Sequence, residues 1–284
     1  MSHKLIITAD DYGLCPEVNR AIEECIAAES IRSTCVMTNM DAYEDTAELR
    51  ARFPHASIGI HWTLTFGRPV LPAKKVSSLV GPDGHFVRFA ELRRRLLARA
   101  VDMGQLRAEL TAQYVQFTHV AGQPDFWNTH QNAHVSPQIF AVCVDLALQL
   151  GIRAMRSHRR ITAPRAMSPL AYNLRHPLYW LKGLLISRWI TRAEARGALT
   201  PAGIVHSPGY LGGKADVEQI VRRVHWDRVD RTAELIIHPA TSVVPELFGS
   251  LTQSRLREYA TFRDPALRGH LSAAGVESVG FEVL

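Results

Sequence analysis

Eight short apolar runs punctuate the 284-residue chain, most of them separated by helical stretches. "KLIITA" (4–9), "STCVMT" (33–38), "SIGIHW" (57–62), "PDFWNT" (124–129), "IRAMRS" (152–157), "GIVHS" (203–207), "AELIIH" (233–238) and "ESVGFEV" (277–283) read as strands. Residues 16–29 carry Pro16 at an early helical position and apolar residues at helical spacing. A helical pair is expected within 89–122, and a further helix over 137–151, closed by Gly151. Strands alternating with helices predict an α/β fold with mainly parallel pairing. About eight such units in a chain of this length predict a (β/α)-barrel-like architecture, either a TIM barrel or a distorted form of one, rather than an open sheet. No repeat, low-complexity segment or linker divides the chain, so one domain over 1–284 is expected. The rhythm breaks between Ser157 and Ala202, where Pro164, Pro169 and Pro177 precede "LYWLKGLLISRWI". This reads as an insertion, approximately 157–202, holding an amphipathic helix. It either packs on the barrel or serves a dimer or membrane surface.

A hydrophobic fraction of 46% and a charged fraction of 21% are those of an ordinary globular protein. The net charge of +6 comes from dispersed Lys and Arg without an aromatic-interleaved basic motif. No nucleic-acid partner is expected, whereas attraction to an anionic surface is compatible with the charge. Cysteines 15, 25, 35 and 143 show no CxxC pairing and read as reduced structural thiols. The apolar run near the start is too short for a signal peptide, and no stretch reaches the length of a membrane span. A cytoplasmic location is expected.

The chemistry gathers where the apolar runs end. The first passes straight into Asp10 and Asp11. Adjacent carboxylates repel, at rising cost as they approach a core. Either the pair lies in a solvated turn, or something positive belongs beside it. The third run carries His61 in "GIHWTLT", the fourth leads into "WNTHQNAH" with His130 and His134, and the seventh ends at His238. In a parallel barrel the carboxyl ends of all strands open on one face, so these groups are expected to converge. One carboxylate and two imidazoles suit a divalent cation with positions left for water and substrate. One aspartate can then ligate while the other acts as a base.

His130 and His134 stand at i and i+4, but they straddle a strand end just before Pro137, so helical ligand geometry is not expected. His130 reads as the ligand and His134 as a nearby pocket residue. Arg156 reads equally as a group orienting an acid in the mouth or as a solvated strand end. "SPGYLGGKAD" is not a Walker loop, because only three residues separate Gly209 from Gly213-Lys214 and Ala215 replaces Ser or Thr. It reads as a flexible turn, or alternatively as a pocket lining that includes Tyr210. There is no GxSxG elbow, no Rossmann fingerprint and no cysteine in a nucleophile pattern.

Together, "TADDYGLCPEVNRAI", "GIHWTLT", the His130–His134 segment followed by Val-Ser-Pro, "ELIIHP" and "REYATFRDPALRGHL" resemble the YdjC-like family of carbohydrate deacetylases. The resemblance spans nearly the whole chain. It implies a barrel-like α/β fold, a divalent cation (Zn²⁺ or Mg²⁺) and removal of acetyl groups from N-acetylated sugars. It further implies Asp11, His61 and His130 as metal ligands, Asp10 as the base and His238 as a motif histidine near the active site. Two imidazoles favour Zn²⁺ or another transition metal over Mg²⁺. The chain departs from the family pattern at Asn128, Gln131 and Asn132, where members commonly carry Asp-Ser and a richer run of histidines. "IIHPAT" also lacks the Gly-Tyr often found after His-Pro.

The expected reaction is amide hydrolysis by metal-activated water, with Asp10 taking a proton and His238 protonating the departing amine. The expected substrate is an N-acetylated sugar or glycoconjugate; "LYWLKGLLISRWI" makes a lipid-linked substrate, peripheral membrane contact or a homodimer alternatives to core packing. Two rival readings fit the same residues: another metallohydrolase such as a phosphoesterase, and a sugar-binding barrel without catalysis.

Overall fold

The computed structural model describes residues 3–159, 177–205, 217, 221, 224, 226, 229, 232–249 and 251–284. Each of the eight apolar runs forms a strand: β1 His3–Tyr12, β2 Ser33–Val36, β3 Ser57–Trp62, β4 Phe126–Thr129, β5 Ala154–Met155, β6 Gly203–Val205, β7 Thr232–Ile237 and β8 Val276–Val279. All their pairings are parallel, in the order β5-β4-β3-β2-β1-β7-β6, with β8 also against β1. The long β1 makes this possible. Its first half pairs with β8, its middle with β7, and its far end with β2. Residues 5–12 of β1 and all of β3 are buried, which is why these runs are continuously apolar until they meet the site.

The sheet curls into a half-barrel, so the barrel expectation holds in distorted form. Between β5 and β6 no ladder forms among the described residues. The gap is crossed by single backbone bonds, from Met155 N to Leu199 O (2.9 Å) and from Ile204 N to Arg159 O (2.8 Å).

The described helices are α1 Pro16–Ala27, α2 Thr46–Arg52, α3 Phe89–Leu97, α4 Met103–Ala121, α5 Pro137–Gln149, α6 Pro177–Ala195, a single turn α7 Pro245–Phe248, α8 Thr252–Phe262 and α9 Ala266–Ala273. In α1, Pro16 opens the helix, and Val18, Ala21, Ile22, Cys25 and Ile26 form the buried stripe its spacing predicts. In α4, the Asp102 carboxylate caps the start by accepting from Gly104 N and Gln105 N. Its buried polar residues hold the chain that leaves β3. Glu109 accepts from Val70 N and Leu71 N, while Gln113 accepts from Thr63 N and donates to Thr63 O. One wall of the strand-end mouth is therefore fixed by hydrogen bonds to side chains that are themselves fully buried.

Gly13 closes the turn after β1 at φ +91°. A Cβ there would fall 3.0 Å from Met37 O and 3.1 Å from Tyr43 Cα, so only glycine fits. Its N–H donates to Asn19 Oδ1 at 2.6 Å, and Asn19 Nδ2 donates in turn to Ala42 O and Asp45 Oδ2.

The amphipathic helix expected within 157–202 is α6. Ile190 and Ala193 face inward, while Leu181, Leu184 and Leu185 are exposed. Residues 160–176 of the expected insertion, and the segment carrying Tyr210, lie outside the described residues. Among the described residues, no helix is long and apolar enough to cross a membrane. All four cysteines are buried free thiols.

Candidate active site

The two adjacent aspartates reach one site because β1 bulges there. Ala9 pairs with Thr34 and Tyr12 with Val36, so β1 holds one residue more than β2 across Asp10–Asp11. A regular strand sends neighbouring side chains to opposite faces. The bulge re-aims one of them. Asp11 takes the strain at φ +75°, in the left-handed region that Asp and Asn tolerate better than most residues.

Asp11 is buried. Its Oδ1 lies 3.3 Å from His61 Nε2 and 3.2 Å from His130 Nδ1, while Oδ2 accepts from Arg255 Nη2 at 2.5 Å. One donor atom from each of Asp11, His61 and His130 falls within 4.8 Å of the others, a spacing a single cation can bridge. The donor set and its convergence fit a divalent metal. Burial raises the Asp11 pKa, but Arg255, His130 and His61 hold it well below the usual carboxylate range. For His61 burial lowers the pKa, and the charges of Asp10 and Asp11 more than offset it.

His130 begins a 3₁₀ segment, His130–Val135, in which Gln131 and Asn132 take left-handed φ values. These two residues interrupt the helical spacing between His130 and His134, and His134 is not one of the donors that converge with Asp11. It is buried beneath the mouth, with Nδ1 2.6 Å from Thr129 Oγ1 and its ring against Trp127 and His158.

Asp10 faces a guanidinium. Arg156 donates from Nη1 to Oδ2 (2.8 Å) and from Nη2 to Oδ1 (2.7 Å), and its Nε donates to Glu234 Oε1 (3.0 Å), which also accepts from Thr8 Oγ1. Arg156 is 1% exposed, so it is no solvated strand end; the acid it orients is Asp10. Burial pushes the Asp10 carboxyl up, and the bidentate Arg156 pair overrides this and holds it well below its ordinary value. Cys35 Sγ lies 3.2 Å from Asp10 Oδ1 and 3.3 Å from His61 Nδ1. Asp10, Cys35 and His61 also satisfy the spacing of a metal trio. They fit less well, because both Asp10 oxygens are engaged by Arg156 and burial drives the Cys35 thiol away from the thiolate a metal needs.

His238 follows β7 at the mouth. Its side chain is 31% exposed, with Nε2 3.9 Å from Asp10 Oδ2. Desolvation lowers its pKa below the ordinary imidazole value, against the pull of Asp11 and Asp10. Its backbone N–H donates to Glu258 Oε2 at 2.6 Å. Arg255 and Glu258 both come from α8, which lies across the site, and neither was anticipated from strand ends. Glu258 does fall within the late "REYATF" stretch.

A parallel α/β half-barrel with carboxylates and imidazoles collected at the carboxyl ends of its strands defines the class: a barrel protein with one polar, metal-competent mouth. The chain belongs to the YdjC-like family, whose pattern, described as YdjC-like protein, matches residues 4–273. It is 31% identical to a human carbohydrate deacetylase over 96% of this chain and 88% of that one. Against a carbohydrate deacetylase of Geobacillus stearothermophilus the identity is 29%, over 99% and 98%. A chitooligosaccharide deacetylase of Proteus mirabilis (strain HI4320) is 33% identical over 52% of this chain and 57% of its own length. Among solved structures, a protein of Enterococcus faecalis V583 named for cellobiose-phosphate cleavage superposes with a TM-score of 0.77 at 21% identity. That match covers 99% of this chain and 98% of the other, and it concerns the fold alone.

Proposed function

We propose that the chain is a divalent-metal-dependent carbohydrate deacetylase that hydrolyses the acetamide of an N-acetylated sugar. The observation that carries this reading is the convergence of Asp11, His61 and His130 within 4.8 Å, beside an Asp10 held ionised by Arg156. The full-length similarity to carbohydrate deacetylases supports the substrate class. Asp11, His61 and His130 would hold the cation, and two imidazoles favour Zn²⁺ or another transition metal. Bound there, the metal supplies a Lewis acid that eases deprotonation of water and polarises the acetyl carbonyl.

The remaining chemistry belongs to the chain's own residues. Asp10 stays ionised at neutral pH, and its Oδ2 is the oxygen nearest His238 Nε2. A proton taken from the attacking water at Oδ2 has an acceptor in the neutral His238 ring, which stands at the mouth and can hand it to the sugar nitrogen. The water oxygen bonds to the acetyl carbon, the C–N bond breaks, and acetate and a free amine leave. Arg156, anchored by Glu234, fixes the direction of Asp10 rather than touching substrate.

The test is acetate release from a panel of N-acetylated sugars by metal-stripped protein with single cations restored. Release that requires metal and disappears in Asp10→Asn supports the reading. Metal binding at Asp11 without acetate from any member of the panel counts against an N-acetylated sugar as substrate.

A further inference from the structure

Asn128 is fully buried in β4, with its side-chain amide wedged between His61 and Arg156. One end of the amide touches His61 Nδ1. The other end lies 2.9 Å from Arg156 Nη2 and 3.1 Å from Nη1, and also 3.3 Å from Cys35 Sγ and 3.5 Å from Asp10 Oδ1. A guanidinium has only donors, so the amide atom facing it must be the oxygen. The NH₂ group then points at His61 and donates to Nδ1. In the neutral ring this leaves the proton on Nε2, aimed at Asp11 Oδ1 3.3 Å away.

That arrangement gives both ring nitrogens of His61 and both ends of the amide a partner without a metal, at the cost of an amide oxygen 3.5 Å from Asp10 Oδ1, and it conflicts with loading a metal. Ligation through Nε2 uses that atom's lone pair, so the proton must sit on Nδ1 and find an acceptor there. The amide oxygen is in place to accept it only after half a turn of the side chain. The turned amide then presents its NH₂ to Arg156 at 2.9 and 3.1 Å, donor against donor, and gains in return only the longer bonds it can donate to Cys35 Sγ (3.3 Å) and Asp10 Oδ1 (3.5 Å). Cys35 Sγ, the other group near Nδ1, is a weak acceptor.

We propose that Asn128 sets the tautomer of His61 and acts as a brake on metal binding, because loading the site requires its amide to turn against Arg156. This rests on the metal-centre reading above. Asn128 is a positioning residue: it touches neither substrate nor cation. A carboxylate at 128 accepts from His61 Nδ1–H and from Arg156 at once, and so releases the brake.

The experiment uses the full chain, labelled with ¹⁵N-histidine and stripped of metal. Two-bond ¹H–¹⁵N correlations report which ring nitrogen of His61 is protonated, with the signal assigned by its loss in His61→Gln. Nε2–H is expected in the unsubstituted protein and Nδ1–H in Asn128→Asp. Zn²⁺ affinity, read by chelator competition, is expected to rise about ten-fold or more in Asn128→Asp. An Nδ1–H tautomer in the unsubstituted protein overturns the inference without needing any variant to fold. Zn²⁺ binding that is no tighter in a folded Asn128→Asp overturns it as well. Absence of Zn²⁺ binding by both proteins overturns the metal-centre reading and this inference with it; Zn²⁺ binding alongside an Nδ1–H tautomer overturns the inference alone.

Discussion

Arg255 Nη2 lies 2.5 Å from Asp11 Oδ2, which leaves Oδ1 alone between the rings of His61 and His130. One oxygen of the aspartate is tied off, and the other is presented as a single donor. The guanidinium is itself held by stacking, 4.6 Å above the Phe248 ring, and its Nε and Nη1 have no hydrogen-bond partner among the described residues. The ion pair with Asp11 is thus its principal polar contact, and it lies in a place where water does not compete.

Removing that guanidinium leaves a buried carboxylate uncompensated. Arg255→Ala is expected to lower unfolding stability by about 3–5 kcal/mol, as other broken buried pairs do. It is also expected to weaken Zn²⁺ binding by about 10–100-fold, because the ligand loses its orienting partner. Arg255→Lys keeps the charge and should recover most of the stability but less of the affinity. Denaturant unfolding and chelator competition on the two variants measure these effects separately. Unchanged affinity in both would remove Arg255 from the metal centre.

Glu258 makes stability depend on pH in an unusual direction for a carboxylate. It is buried, and desolvation raises its pKa from 4.5 to about 7, despite the His238 N–H and the Arg255 charge. Between those values the folded state binds more protons than the unfolded state, so stability falls as pH rises through the window. The full penalty, reached above pH 7, is about 3 kcal/mol. Glu258→Gln keeps an acceptor for His238 N–H and carries no charge. It should match the unsubstituted protein near pH 4 and exceed it at pH 8 in urea unfolding. A difference that does not change with pH would show that Glu258 ionises freely in the fold.

The strands and the helices between them were legible because a parallel sheet covered on both faces needs unbroken apolar runs, and those runs end where the polar mouth begins. Asp10, Asp11, His61, His130 and His238 stand at such ends, so convergence followed from topology. What was not legible has four physical causes. The bulge at Asp10–Asp11 is a register event between β1 and β2, and nothing local in "TADDYG" specifies it. Arg255 and Glu258 lie on α8, where a charged residue reads as a solvated face until the helix is seen crossing the mouth. Cys35 looks like one of three evenly spaced thiols, and its contacts with Asp10 and His61 arise only from the pairing of β2 with its neighbours. Arg156 stood between two readings because burial, which decides them, is a property of the closed fold.

Gly59 shows how tightly the strand carrying His61 is packed. A Cβ at this position would fall 2.6–2.7 Å from atoms of the Phe126 ring. That ring cannot retreat easily, since it stacks on Phe281 with centroids 3.8 Å apart. Gly59→Ala should therefore cost about 1–3 kcal/mol through overpacking. Because β3 must shift to relieve it, Zn²⁺ affinity at His61, two residues on, should fall as well. A thermal melt and a Zn²⁺ titration check both, and an undisturbed melt would mean that the Phe126–Phe281 stack yields.

Asp10 and His238 share the proposed proton path but not the same structural burden, and this separates their variants. In Asp10→Asn, one side-chain oxygen becomes an NH₂ group facing an Arg156 that has only donors to offer, so the buried bidentate pair is lost. Stability should drop by a few kcal/mol, while Asp11, His61 and His130 keep their places and Zn²⁺ still binds. Turnover should fall by about 10²–10⁴-fold. His238→Gln removes a ring that still meets solvent and stands 3.9 Å from Asp10 Oδ2. Its stability should change by less than about 1 kcal/mol, yet acetate release should fall over a similar range. The pH profile carries the sign. Desolvation lowers the His238 pKa, so the ring is neutral and able to accept a proton at neutral pH, and the unsubstituted protein should lose activity as pH falls through the lowered value. In His238→Gln the part of that limb owed to His238 should vanish, leaving only the loss of rate that follows loss of Zn²⁺ when His61 is protonated. Full activity in His238→Gln, or an acid limb left unchanged by it with Zn²⁺ still bound, would take His238 off the path and leave the departing amine to be protonated by solvent.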